Sequence, residues 1–354
     1  MQVETGVSRE AILWCYKLFL GRPPASQEIA DSHLARPSLE NLRAFFATHP
    51  AFQAYLATLA TQSAPVAAKK PGRLDYIIER LEAATITDAP FRHLYIENLF
   101  TDEDFAELVN LPEINVPPVD SDEALIAELQ RLHFKAIPFP GTTTDVGAYL
   151  TWHADPSLSK HQNQETCEGY GVVMRLQKVT PRTILEEVDA LFASDGFWTA
   201  AAAKFGLRRP DLRRDYGLQK YLDGYEISPH PDIRAKALTF MINVNPAADS
   251  ESLSYHTRYM TFRPEREYVG EFWSRDPTAD RSWVPWDWCE SQWTQNKNNS
   301  IVMFSPGNDT IHAIKASYNH LRTQRTQFYG NLWYPDSMAK WMPDFRALAE
   351  MAPG

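Results

Sequence analysis

His230 and Asp232 stand two positions apart, just ahead of an apolar run, Ala237-Leu-Thr-Phe-Met-Ile242. In extended structure side chains alternate with period 2, so an imidazole and a carboxylate at this spacing face the same way. Both groups are ligands for a divalent transition metal. With one distant histidine they form the two-His, one-carboxylate triad, which leaves three positions of Fe(II) open for substrate chemistry. His312 is the candidate third ligand. It follows a strand-like run, Asn299 to Phe304, and a turn, Ser305-Pro-Gly-Asn-Asp-Thr310, that can return the chain to the same end of a sheet.

The motif is cheap in a chain with 10 histidines, and a second one, His153-Ala-Asp155, is present. Context separates the two. His153 leads into Pro156-Ser-Leu-Ser-Lys-His161, read as a polar loop that would hold ligands loosely, whereas His230 precedes a strand. His33, His49, His93, His133, His161, His256 and His320 have no partners at ligand spacing and read as ordinary surface or core histidines. Beyond His312, Arg322 and Arg325 place a cation at the head of a last alternating strand, Thr326 to Tyr334. A guanidinium keeps its charge and matches a carboxylate bidentately.

The order Tyr221-x-x-Gly224, Pro229-His230-x-Asp232, Lys236-x-x-Thr239-Phe240, His312 and the Arg-initiated strand resembles the Fe(II)/2-oxoglutarate dioxygenase superfamily. The resemblance covers residues 221–334 well and 88–112 loosely. It implies a double-stranded β-helix, or jelly-roll, core of the cupin-like kind, with His230, Asp232 and His312 as iron ligands. It also implies 2-oxoglutarate and O2 as cosubstrates, with an Arg binding the 2-oxoglutarate C5 carboxylate. Arg322 has the common offset of ten from the distal His, and Arg325 heads the strand, where the family usually places it; Arg325 is favoured. Tyr221, Thr239 and Asn243 are candidate hydrogen-bonding partners of the cosubstrate, each equally readable as core packing. Halogenases of the superfamily lack the carboxylate that Asp232 supplies, so the implied reaction is hydroxylation with release of succinate and CO2.

The expected fold class is α+β, a jelly-roll core with flanking helices preceded by a small all-α domain. Residues 1–66 form the helical accessory domain and 67–354 the oxygenase domain, with its core at about 215–335. In the first domain Ile12, Tyr16, Phe19 and Leu20 fall on one helix face, which Gly21-Arg22-Pro23-Pro24 ends; Ser38 reads as the N-cap of a helix carrying Leu42 and Phe46. Tyr16-x-x-x-Leu20-Gly-Arg-Pro-Pro24, Ser38-Leu-Glu-x-Leu42 and His49-Pro-Ala-Phe52 resemble a small bacterial helical domain of unknown function. Residues 61–73 have linker composition. Then come a helix over 74–84, a strand within 90–100, a helix capped by Thr101 and helices over 183–205. Residues 247–299 read as a long insertion rich in Trp273, Trp283, Trp286, Trp288 and Trp293. It is either a substrate-gripping lid or a secondary hydrophobic cluster.

Composition narrows the partners. At 354 residues with 44% hydrophobic content, the chain can bury a large core. Its net charge of −10 argues against nucleic-acid binding and against an anionic membrane surface. No apolar span approaches a membrane helix and no signal sequence is evident, while Cys15, Cys167 and Cys289 are sparse and scattered. The expected location is cytoplasmic and bacterial. The expected substrate is a small molecule, a sugar or a peptidyl group, with a homodimer one option for the assembly. Two rivals stand beside this reading: a jelly-roll metal enzyme that uses no 2-oxoglutarate, and a non-catalytic glycan- or protein-binding module built on the tryptophans.

Overall fold

The computed structural model describes residues 7–20, 23–54, 72–155, 171–208 and 211–352. Gly21-Arg22, almost all of the expected linker with its 66/67 boundary, His161 and Cys167 lie outside the described residues. The chain divides into two compact units, Met1–Pro71 and Gly72–Gly354.

Among its described residues the first unit carries helices Arg9–Leu20, Gln27–Ser32 and Leu39–Ala47. They close on Ile12, Tyr16, Leu42 and Phe46. The Ser38 hydroxyl accepts from the Asn41 N–H, satisfying one of the free donors at a helix start.

Among its described residues the second unit is built on twelve strands. Four lead in: β1 (Ile86–Thr87), β2 (His93–Glu97), β3 (Phe134–Ala136) and β4 (Val173–Leu176). Eight form the core: β5 (Arg213–Tyr221), β6 (Glu226–His230), β7 (Lys236–Asn243), β8 (Arg258–Phe262), β9 (Cys289–Thr294), β10 (Ser300–Phe304), β11 (His312–Lys315) and β12 (Arg325–Trp333). One sheet runs β1-β2-β10-β7-β12-β5-β4-β3 and the other β6-β11-β8-β9. Except where β8 passes directly to β9, successive core strands cross from one sheet to the other, and every pairing is antiparallel. That is a jelly roll of two four-stranded sheets. β1 and β2 widen one edge of the larger sheet, and β4 and β3 widen the other.

The larger sheet alternates in an unusual sense. Its apolar positions, Leu218, Phe240, Ile301 and Phe328, face away from the barrel into the main core. There helices Ile184–Ala193 and Asp195–Lys204 set Phe192 and Phe197 against Phe240 at 5.2 and 5.5 Å. Ser194 breaks the two helices apart, taking an extended conformation and capping the second at Phe197 N. The barrel side of the same strands carries Tyr221, Thr239, Met241, Arg325, Gln327 and Tyr329, so β7 is buried at every position. Polar residues facing inward on a buried sheet mark a site rather than a core.

The segment 247–299 is not a single insertion, because it contains β8 and β9, two core strands of the smaller sheet. Trp273 and Trp288 are packing residues, buried with Met260, Val269 and Ile311 around helix Tyr268–Arg275. Trp293 stacks on Tyr259 at 5.0 Å. Among the described residues Cys15 and Cys289 are free thiols, and no helix is long and apolar enough to cross a membrane.

Candidate metal centre

His230 ends β6 and His312 opens β11, and the two are directly opposed in the antiparallel pair. Side chains of opposed residues share a face, which brings the imidazole centroids to 4.3 Å. Asp232 arrives by another route than simple strand alternation. The strand stops at His230, and after Pro231 the backbone of Asp232 takes a left-handed conformation, φ 63°. Few non-glycine residues adopt it, so the surroundings must hold it there. The Thr310 hydroxyl does part of this, donating to the Pro231 carbonyl at 3.0 Å.

Each imidazole is fixed in one tautomer. His230 Nδ1 lies 2.8 Å from the Ser228 carbonyl and His312 Nδ1 2.9 Å from that of Thr310. A carbonyl only accepts, so both Nδ1 atoms carry the proton and both Nε2 lone pairs are left to a ligand. Those Nε2 atoms face the Asp232 carboxylate at 3.7 and 3.9 Å, too far for hydrogen bonds. The three donor atoms lie within 4.8 Å of one another. Burial, reinforced by neighbouring His312, pushes His230 down to about 3, and burial also lowers His312. Both rings are therefore neutral, the form a metal takes. Burial acts to raise Asp232, but Lys236 and the two histidines outweigh it and hold the carboxyl below its usual range.

Lys236 and Thr239 hold that carboxylate. Lys236 Nζ donates to Asp232 Oδ1 at 2.6 Å and to the Tyr329 hydroxyl at 2.8 Å, while Thr239 Oγ1 donates to Oδ2 at 2.8 Å. Thr239 is thus a brace for Asp232, not a free hydrogen-bonding partner for a cosubstrate. Lys236 was visible in the sequence only as one letter of a motif.

A narrow cavity joins the triad to Arg325, with Tyr221, Thr257 and Gln327 in its wall. Arg325 is 2% exposed. Its guanidinium donates to Thr257 Oγ1 at 3.0 Å and lies 4.3 Å from the Tyr221 ring centroid. Among the described residues no carboxylate pairs with it, and Gln327 Oε1 is buried in the same wall without a partner. A buried guanidinium lacking a counter-ion, on a cavity that opens at a His/Asp/His triad, fits a ligand that chelates the metal at one end and presents a carboxylate at the other. Arg322 is exposed on the preceding turn and lines neither this cavity nor the cleft described next. The Tyr221 hydroxyl donates to Gln219 at 2.6 Å. Asn243 lies outside both spaces and binds the Gln295 and Lys297 carbonyls instead.

On its other side the triad opens into a cleft of about 480 Å³ lined by Phe139, Ile227, Trp283, Tyr329 and Trp333 among others. Trp283 is the tryptophan of the 247–299 segment that reaches it. A larger surface depression of about 640 Å³, near Phe262 and Asn308, contains none of the triad.

A second His/Asp/His group is also present: Asp122, His153 and His320. His153 sits on helix Val146–Ala154 rather than in a loop, and its partners are Asp122 and Asp223, not Asp155. His320, read as partnerless, belongs here too. Hydrogen-bond distances separate this cluster from the first. His320 Nδ1 accepts from the Asp223 N–H at 3.0 Å, so its Nε2–H is left to donate to Asp122 at 2.7 Å. His153 faces Asp122 through Nδ1 at 2.5 Å and Asp223 through Nε2 at 3.0 Å, so both ring nitrogens are engaged by carboxylates. Held at hydrogen-bond distance, the cluster clasps helix Asp122–Arg131 to the turns after β5 and β11.

No protein-family model matches the chain, and no curated protein matches it. Among solved structures it is similar to a prolyl hydroxylase from Trichoplax adhaerens in complex with a hypoxia-inducible-factor peptide. The identity is 8% and the TM-score 0.37, over 79% of this chain and 93% of that one. It is also similar to a Pseudomonas putida prolyl-4-hydroxylase, at 12% identity and TM-score 0.33 over 74% and 100%. A third is HygX from Streptomyces hygroscopicus, with nickel and 2-oxoglutarate bound, at 8% identity and TM-score 0.30 over 68% and 81%.

Proposed function

We propose that the second unit is an Fe(II)- and 2-oxoglutarate-dependent oxygenase that hydroxylates an unactivated C–H bond, releasing succinate and CO2. The observation that carries the reading is Arg325, a buried guanidinium with no carboxylate partner among the described residues, in one cavity with His230, Asp232 and His312. His230, Asp232 and His312 hold the metal, and Arg325 takes the distal carboxylate of 2-oxoglutarate.

The bound metal, O2 and 2-oxoglutarate supply the oxidising power; the chain supplies position and exclusion. The Ser228 and Thr310 carbonyls keep both Nε2 lone pairs aimed at the metal. Lys236 and Thr239 fix the Asp232 carboxylate in one orientation. Tyr221 and Thr257 hold the Arg325 fork against the inner end of the cavity. Phe139 and Ile227, shared by cavity and cleft, give the triad apolar walls that would limit water around a bound metal.

The test is anaerobic titration of the metal-free protein with Fe(II) and then 2-oxoglutarate, reading the weak visible charge-transfer band of the chelate. The band is expected in wild type and Arg322→Ala, absent in Asp232→Ala, and shifted to much higher 2-oxoglutarate concentration in Arg325→Ala. Iron binding without a band in wild type would leave the metal-enzyme reading without 2-oxoglutarate. No iron binding at all would leave the non-catalytic module.

A further inference from the structure

Three cations face the cleft outside the triad, and two are matched. Arg175 pairs with Asp215 at 2.7 Å, and Lys236 pairs with Asp232. Arg281 is different. It is 5% exposed, and among the described residues its side chain has no hydrogen bond and no ion pair. Its Nε is buried without a partner, and so is the hydroxyl of its neighbour Ser282. Both residues line the cleft.

Asp232, Asp280 and Asp309 act on Arg281 through space, but none forms an ion pair or hydrogen bond with its side chain, and Asp309 is exposed to solvent. Asp280 Oδ1 accepts from the Arg234 and Arg281 backbone N–H groups, both at 2.8 Å, and Asp232 is held by Lys236 and Thr239. Arg234 adds like charge, its guanidinium tied to the Ala279 and Trp273 carbonyls. Burial and the Arg234 charge together push Arg281 down to about 10. A buried charge left this way calls for an external counter-ion.

We propose that Arg281 and Ser282 anchor the carboxylate of the substrate, and that the substrate is an apolar carboxylic acid whose body lies along Phe139, Trp283 and Trp333. This rests on reading the triad as the oxygenase centre. One uncommitted guanidinium matches one carboxylate; a phosphate dianion would need a second cation, and Arg175 and Lys236 are already neutralised. A sugar is disfavoured, because the polar groups beside Ser282 are spoken for. Asp215 holds Arg175, and the Thr239 hydroxyl is given to Asp232.

The test uses the full chain, metal-free, titrated with benzoate, 3-phenylpropionate and octanoate while tryptophan fluorescence is followed. At least one acid is expected to bind saturably, and its amide at least about tenfold more weakly. Arg281→Gln is expected to weaken the acid by about tenfold to a hundredfold, Arg281→Lys to recover part of that, and Ser282→Ala to lose severalfold. Thermal melts establish that each variant is folded. Arg325→Gln should leave acid binding unchanged, and once Mn(II) is added 2-oxoglutarate should bind wild type and Arg281→Gln equally. No binding by any of the three acids, equal binding of acid and amide, or binding that depends on Arg325 instead of Arg281 would overturn the proposal. Acid binding that needs Arg281 in a protein that never binds 2-oxoglutarate would uphold the anchor and sink the oxygenase reading alone.

Discussion

Arg325→Met is the most discriminating perturbation of the proposed cosubstrate clamp, because it should separate stability from ligand affinity. Removing one partner of a buried ion pair ordinarily costs about 3–5 kcal/mol, since the other charge is left stranded. Arg325 strands nothing among the described residues, for its contacts are the Thr257 hydroxyl and the Tyr221 ring. Losing a charged hydrogen bond costs about 1.5–3 kcal/mol, and losing a desolvated cation–π contact about 2 kcal/mol. Against this stands relief from burying an unpaired guanidinium, several kcal/mol on its own. Met fills much of the same length with no charge. The ligand-free variant should therefore be as stable as wild type to within about 1 kcal/mol, or more stable. Urea denaturation with and without 2-oxoglutarate in Mn(II) buffer reads both quantities. Wild type at a hundred times Kd gains about 2.7 kcal/mol, whereas the variant at the same concentration gains nothing. A ligand-free variant more than about 2 kcal/mol less stable than wild type would refute the reasoning, since such a loss is the signature of a broken ion pair.

His256 is buried neutral: burial, with Arg325 nearby, pushes it down to about 4, although its Nε2–H bond to the Ser250 carbonyl acts the other way. The unfolded chain takes a proton at about 6.5, so His256 takes nothing from stability above that pH and weakens the fold as pH falls toward 4, by about 2 kcal/mol at pH 5. His256→Gln should flatten the urea-midpoint profile between pH 7 and pH 5 by that amount, and an unchanged slope would count against it. Asp122→Asn removes a carboxylate that serves His153 and His320 together. An expected loss of about 2–3 kcal/mol in urea denaturation, with the Fe(II)/2-oxoglutarate band retained, identifies the clasp as structural; loss of the band in folded protein would implicate it in the metal site.

The core strands were legible where they carry period-2 alternation, as in Thr326 to Tyr334, and their polar half was informative in itself. Arg325, Gln327 and Tyr329 face the barrel while Phe328 and Leu332 meet the outer helices. β8 and β9 were hidden for the opposite reason. Both are short, and β9 exposes Glu290, Ser291 and Gln292, so its few apolar positions blended with the surrounding tryptophans. Which tryptophan packs and which faces a ligand is a matter of tertiary placement. Trp273 and Trp283 lie ten residues apart in one stretch, yet one is sealed in a core and the other lines the cleft.

At the centre, identity and order were readable, and the geometry was not. His230 and His312 announce themselves through strands that can pair, but Asp232 joins them only through a left-handed turn that no alternation rule contains. The two His-x-Asp motifs differ in what surrounds their nitrogens. In one cluster backbone carbonyls take the Nδ1 protons and leave the Nε2 lone pairs open; in the other, carboxylates occupy every nitrogen that no backbone N–H has claimed. Arg281 and Ser282 carry no sequence signal, because an unmet charge is a property of a wall and not of a motif. Among the described residues, Lys236 has its counter-ion on the barrel's own wall, while Arg325 and Arg281 have none. Each lines a different space beside the triad, Arg325 the inner cavity and Arg281 the outer cleft. The charge imbalance therefore calls for two separate anions, one on each side of the triad, and on the proposed reading the inner is the cosubstrate and the outer the substrate.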